Sequence, residues 1–238
     1  MSRTLKTKVN TGVQTREGGG RITLIPNSSV AIVTGGYGLA ILDFSDPPNT
    51  KKLKAINTGV LTVDEAGRCT IVDDKTALVV GGLGVAVLDI SDPQNVSKLK
   101  KVDTGVQTRE GGGRLTIVGT RALVIGGLGL AVVDFQDRAN AKVLAKVDTG
   151  VLCREGAGRL KLMHDGQHAL VTGGLGVCVV NIADLSQPFK VRAILRPGTD
   201  TRLKRSDTEL CEATTLALKR WTELVIPPHS PASLRLNS

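Results

Sequence analysis

The sequence predicts an all-β chain built from four tandem repeats, and three observations carry that reading. Residues 9–24 (VNTGVQTREGGGRITL) return at 102–117 as VDTGVQTREGGGRLTI, with 13 of 16 positions identical. Looser copies begin at residues 56 and 147, so the copies start at 9, 56, 102 and 147, a spacing of 45 to 47 residues. Within each copy, short apolar segments alternate with turn signals at about ten-residue spacing, the pattern of short antiparallel strands.

In the first copy the expected strands are GRITLI (20–25), VAIVT (30–34), LAILDF (39–44) and KKLKAIN (51–57). Gly35-Gly36-Tyr37-Gly38 joins the second to the third and recurs as Gly81-Gly82-Leu83-Gly84, Gly126-Gly127-Leu128-Gly129 and Gly173-Gly174-Leu175-Gly176. So many glycines in so short a link supply the unusual backbone angles of a tight hairpin. A dinucleotide-binding fingerprint is excluded, because that motif needs a third glycine and a following helix, and a strand follows here. After the third strand come Ser45-Asp46-Pro47, Ser91-Asp92-Pro93, Gln136-Asp137-Arg138 and Ala183-Asp184-Leu185. Asp before Pro starts a turn by bonding its own backbone, and Pro stops the ladder.

The second and third strands are nearly continuous apolar runs, as expected where both faces of a sheet are covered. A four-stranded sheet recurring every 46 or so residues and covered by its neighbours is a propeller blade, so the expected fold is a β-propeller of four repeats. The third-strand segments LAILDFSDPPN (39–49), VAVLDISDPQN (85–95) and LAVVDFQDRAN (130–140) resemble the LVIVD repeat, over about residues 9–196. Asn181 departs from that pattern where Asp43, Asp89 and Asp134 follow it. The resemblance implies a β-propeller and little chemistry, and many relatives are cell-surface proteins. Counting an additional outer strand at 4–13, the strands number one more than a four-bladed ring requires. Half of a dimeric eight-bladed ring, or an open four-blade arc, are the alternatives, and a homodimer goes with the first.

Composition narrows the function classes. Hydrophobic residues make up 41% of the chain but aromatics only 2%, so the interior must be filled by Val, Ile, Leu and Ala. The net charge of +9 suggests an acidic partner. Its distribution argues against nucleic acid, because cations recur in the outer-strand segments KKLKAI (51–56), SKLKKV (97–102), AKVLAKV (141–147) and FKVRAI (189–194), and no aromatic platform exists for stacking bases. Lysine on outer strands is a standard defence against edge pairing. Cys69, Cys153 and Cys178 occupy slots held elsewhere by Ile or Leu, Thr and Ala, and read as small fillers, with Cys211 in the tail. No signal peptide and no apolar stretch of membrane-spanning length are seen, so a soluble intracellular protein without membrane insertion is expected. The resemblance offers the extracellular alternative.

The repeats occupy residues 1–198, and 199–238 form a tail of different character. Ser206 and Glu209 make a capping box, and Leu210, Ala213, Ala217, Trp221, Leu224 and Val225 follow at helical spacing. One amphipathic helix is expected there, with Trp221 as a candidate anchor for a partner.

The links between blades carry the candidate site. Glu17, Asp64, Glu110 and Glu155 recur with Arg21, Arg68, Arg114 and Arg159, and in a propeller these links approach the mouth of the central channel. Each carboxylate could pair with an arginine and fix the joint between blades. Alternatively the arginines would capture an anion or a partner's carboxylates, or the carboxylates would hold a hard cation such as Ca²⁺. Catalysis is thinly supported, since His164, His168 and His229 are the only histidines and no base is placed beside a nucleophile. A non-catalytic protein-interaction scaffold with a charged face and no cofactor is the expected function. Ion binding and, last, hydrolysis are the alternatives.

Overall fold

The computed structural model describes residues 8–15, 20–64, 66–109, 112–153 and 158–195. It divides into a first unit, Met1–Ala193, that holds the sheets except for the last two residues of the final strand, and a second, Ile194–Ser238. The expected tail helix, with Trp221, lies outside the described residues.

The architecture is that of a propeller, with four antiparallel sheets of four strands each, every sheet a simple up-and-down meander. Blade 1 is β1 (Arg21–Leu24), β2 (Val30–Gly35), β3 (Gly38–Asp43) and β4 (Lys51–Ile56). Blade 2 is β5 (Arg68–Ile71), β6 (Thr76–Gly81), β7 (Gly84–Asp89) and β8 (Ser97–Val102). Blade 3 follows as β9 (Arg114–Val118), β10 (Arg121–Gly126), β11 (Gly129–Asp134) and β12 (Lys142–Val147), and blade 4 as β13 (Arg159–Leu162), β14 (His168–Gly173), β15 (Gly176–Asn181) and β16 (Phe189–Leu195). Each blade is completed by its own fourth strand. The additional outer strand expected at 4–13 is not there in its described part, since residues 8–13 form no strand and residues 4–7 lie outside the described residues.

Burial follows from the stacking of blades. One core cluster joins Val30, Ile32, Leu39 and Ile41 of blade 1 to Ala77, Val79, Ala86 and Leu88 of blade 2. A second joins Leu78, Val80, Val85 and Val87, on the other face of blade 2, to Ala122, Val124, Ala131 and Val133 of blade 3. Successive strand residues point to opposite faces, so a strand sandwiched on both sides must be apolar throughout. In β6, from Thr76 to Gly81, every residue is buried. Blade 4 differs: Ala169, Val171, Cys178 and Val180 are buried while Leu170, Thr172, Val177 and Val179 are half-buried. Ile22 and Leu24 on β1 are 70% and 61% exposed. In blade 1 the exposure is confined to the first strand, since β2 and β3 are as buried as their counterparts in blades 2 and 3. Blade 4 alone is less covered through its second and third strands.

One repeated contact fixes how each blade sits on the link before it. In the link, Asn10, Asn57, Asp103 or Asp148 accepts a hydrogen bond through its side chain from the N–H of Gly12, Gly59, Gly105 or Gly150. These glycines have φ between +66° and +73°, the left-handed region. The turn so formed aims the carbonyls of Val13, Val60, Val106 and Val151 at the hairpin of the following blade. They accept from the N–H of Tyr37, Leu83, Leu128 and Leu175 at 2.9–3.0 Å. The approach is close because the hairpin offers no side chain there: a Cβ on Gly35, Gly81, Gly126 or Gly173 would lie 2.2–2.3 Å from the same carbonyl oxygen.

Polar contacts tie neighbouring blades at three other levels. Thr15 and Thr62 donate through Oγ1 to the carbonyls of Val63 and Arg109, one repeat ahead, at 2.7 and 2.9 Å. On the outer strands, Lys98 Nζ donates to the Asn57 carbonyl at 3.1 Å and Lys54 Nζ to Asn95 Oδ1 at 3.1 Å. Some of the outer lysines thus bridge blades rather than only guarding an edge. Arg138 of blade 3 donates to the Lys75 carbonyl at 2.8 Å and pairs with Asp89 at 3.4 Å.

The strand-end aspartates are turn caps. Asp43, Asp89 and Asp134 accept from the backbone N–H two residues on, at 2.9–3.0 Å. Asn181 does the same for Ala183 N–H at 3.1 Å, so the departure from the repeat pattern keeps the cap and loses only the charge. At Asp89 the Ser91 hydroxyl and N–H, and then Arg138, hold the carboxyl below its ordinary value.

Two predictions follow from these contacts. Gly126→Ala forces a Cβ against backbone and should lower stability in a denaturant titration by about 3 kcal/mol, the upper end for overpacking. Gly166→Ala, at φ +67° with nothing within 4 Å, should cost only about 1 kcal/mol of backbone strain. A carboxylate with a lowered folded pKa stabilises above its unfolded value of about 4, and that contribution is lost as pH falls through the folded value. Asp89→Asn keeps an acceptor for Ser91, so it should cost no more than about 1 kcal/mol at neutral pH. Its stability should also fall less steeply on acidification than that of the natural chain.

Candidate functional site: a basic cavity

The candidate arginines occupy one structural position. Arg21, Arg68, Arg114 and Arg159 each open the first strand of a blade. Each pairs with a residue next to the hairpin glycines: Thr34, Val80, Ile125 and Thr172. All four therefore lie at the end of the propeller that carries the blade-to-blade links and the Gly-Gly-x-Gly hairpins. The Asp-containing turns, with Asp46, Asp92, Asp137 and Asp184, lie at the other end.

Arg68, Arg114 and Arg159 line a single cavity of about 220 Å³, together with Thr70, Thr116, Leu115, Leu160 and Ile125. Arg68 with Thr70 and Arg114 with Thr116 are two apart on their strands and share a face, while Leu115 and Leu160 come from the opposite face of theirs. Three of the four expected arginines are thus brought together across blades 2, 3 and 4. Arg21 holds the equivalent position on β1 and is exposed. It does not line this cavity.

Of the carboxylates, Asp64 is exposed in the turn after Thr62 and does not line the cavity. Glu17, Glu110 and Glu155 lie outside the described residues. Among the described residues that line the cavity the polar side chains are three guanidiniums and two hydroxyls, with no carboxylate. Arg68 and Arg114 also have partners of their own. Such a surface offers forked N–H donors and O–H donors to an anion, and guanidinium geometry matches carboxylate and phosphate oxygens in pairs. The hydroxyl positions Thr70 and Thr116 were not anticipated from the sequence, although Arg-x-Thr in RIT, RCT and RLT was the available signal.

Other reactive groups lie elsewhere. His168 Nδ1 is 2.7 Å from Asp165 Oδ2 and its Nε2 is 3.3 Å from Asn181 Nδ2. This pair belongs to the turn between β13 and β14, at the end away from the arginines. Cys178 is fully buried, and burial pushes the Cys69 thiol up to about 12. Neither is a nucleophile at neutral pH. Among the described residues no group of three or more His, Cys, Asp or Glu is placed to hold a metal ion, and no helix is long and apolar enough to cross a membrane.

No family model matches the chain, and no curated protein matches it. Among solved structures, it is similar to a functionally unknown protein from Desulfotomaculum acetoxidans, with 16% identity, 75% of this chain and 71% of that one covered, and a TM-score of 0.40. It is also similar to PorZ, a bacterial surface component of the type-IX secretion system of Porphyromonas gingivalis, with 14% identity, 71% and 20% covered, and a TM-score of 0.35. A variant of the GH43 protein BlXynB from Bacillus licheniformis gives 12% identity, 82% and 45% covered, and a TM-score of 0.37. The chain spans less than half the length of the last two.

Proposed function

We propose that this chain is a non-catalytic binding scaffold whose channel mouth captures an anionic group on a protein partner. The observation that supports this is the convergence of Arg68, Arg114 and Arg159, with Thr70 and Thr116, on one cavity. Each guanidinium carries five N–H donors in a fixed fork, so three of them on one cavity favour a ligand that spreads negative charge across several donors. We carry the LVIVD relationship forward as part of the same proposal. It rests on the Ser-Asp-Pro turns and the apolar strands before them.

Pyrophosphate, a compact polyanion, serves as the probe in a calorimetric titration at two salt concentrations. The natural chain should bind it with an affinity that falls as salt rises. Arg159→Ala and Arg68→Ala should each weaken binding about tenfold, or about 1.4 kcal/mol. Arg159→Ala should lose little thermal stability. Unchanged binding together with a clear loss of stability would mean that the arginines serve only as joints between blades, and the proposal would fall.

A second reading concerns assembly, and a specific observation favours it. Ile22 and Leu24 are 70% and 61% exposed at positions where Cys69 and Ile71, one repeat later, pack into a core cluster. Leu170, Val177 and Val179 on blade 4 are only half-buried. We infer that two chains pair through their terminal blades. Sedimentation should then give a dimer that Ile22→Asp converts to monomer. A monomer near 25.0 kDa at all concentrations would exclude it.

A further inference from the structure

The end of the propeller that holds the basic cavity also carries a series of apolar side chains, three of them exposed. Each Gly-Gly-x-Gly hairpin places one large apolar residue at its tip: Tyr37, Leu83, Leu128 and Leu175. Tyr37 is 64% exposed, Leu128 49% and Leu83 37%, and Leu175 is half-buried. Val63, in the link beside them, is 46% exposed. An exposed leucine alone means nothing, but an apolar residue at the same position in every blade is a patterned surface. Hairpin folding does not require these side chains, because the glycines make the turn and the tip contributes only its backbone N–H to the preceding link. That bond anchors each tip, and at Tyr37 and Leu128 it leaves about half or more of the side chain exposed.

The two features share one face. Each arginine pairs with the residue next to the hairpin glycines, so at about 3.3 Å per strand residue the tip lies about 7 Å beyond it, two steps on at the turn of the hairpin. The arginines are on the first strand of each blade and the tips are between the second and third. A ligand confined to the cavity would touch guanidinium and hydroxyl alone. One that also covers the tips must be larger and must present apolar groups around a negative centre.

Resting on the anion-capturing role of the arginines, we propose that this face docks an acidic protein segment whose carboxylates enter the basic cavity while flanking apolar side chains pack on the hairpin tips. The charge is complementary to the three guanidiniums, and the tips give the flanking residues a place to be desolvated. Preformed contacts keep the entropic cost of such docking low.

The test compares two short fluorescent peptides of equal negative charge on the full chain, by anisotropy. One interleaves Glu with Gly and Ser, and the other flanks the same Glu residues with Leu and Phe. The apolar-flanked peptide should bind at least about tenfold more tightly. The double variant Leu83→Ser, Leu128→Ser should bring the two peptides to equal affinity without changing pyrophosphate binding. Arg159→Ala should weaken both. Equal binding of the two peptides by the natural chain, or an undiminished preference in the double variant, would overturn the inference and leave the anion site intact. Binding of pyrophosphate but of neither peptide would also overturn it, in favour of a small anion. Failure of all three probes would overturn both readings. A concentration-dependent rise in mass that the double variant abolishes would assign the tips to a second copy of the chain instead.

Discussion

The hydrogen bond from a hairpin-tip N–H to the valine carbonyl of the preceding link is the contact on which the remaining structure depends. It occurs in all four blades at 2.9–3.0 Å. It requires two glycines in different segments, one at positive φ to turn the link and one without a Cβ to admit the carbonyl. Because the link ends where the next blade's first strand begins, this bond sets the height at which Arg21, Arg68, Arg114 and Arg159 start their strands. The basic cavity is therefore a consequence of packing as well as of residue choice. Its members come from three blades, and no blade alone would bring two of the guanidiniums together.

Much of the fold was legible in the sequence, because repetition multiplies a weak signal. A single GRITLI or VAIVT segment is ambiguous between strand and buried helix, but four copies at a constant spacing, each closed by the same glycines, leave one reading. Strand ends were placed within a residue or two, and the final strand Phe189–Leu195 agrees with the expected segment. The strand expected at 4–13 fails in its described part for a physical reason. Residues 10–13 match Asn57–Val60, Asp103–Val106 and Asp148–Val151, which are links, and a Gly at positive φ breaks any ladder there.

The candidate site was legible only in part. The periodicity placed the arginines at one level, since equivalent repeat positions must occupy equivalent places. It could not show that three of them share a cavity and the fourth does not, because equivalent repeat positions carry no information on the distances between blades. The lysines of the outer strands were read as solvated guards, yet Lys54 and Lys98 reach across to the neighbouring repeat. Nothing local in SKLKKV reveals that partner, which lies 41 residues away in each case. At the hairpin tips the glycines signal the turn, whereas the exposure of the apolar residue between them depends on packing that no local segment carries.

The central claim is that the cavity between Arg68, Arg114 and Arg159 receives an anion. An anomalous-difference map from crystals soaked in selenate tests it most directly, because the selenium marks an oxyanion without ambiguity. The account predicts a peak bounded by these guanidiniums and by the Thr70 and Thr116 hydroxyls. The same peak should be absent from crystals of the Arg159→Ala variant. Side-chain carboxylates of the chain itself filling the cavity, with selenate bound elsewhere or nowhere, would contradict it.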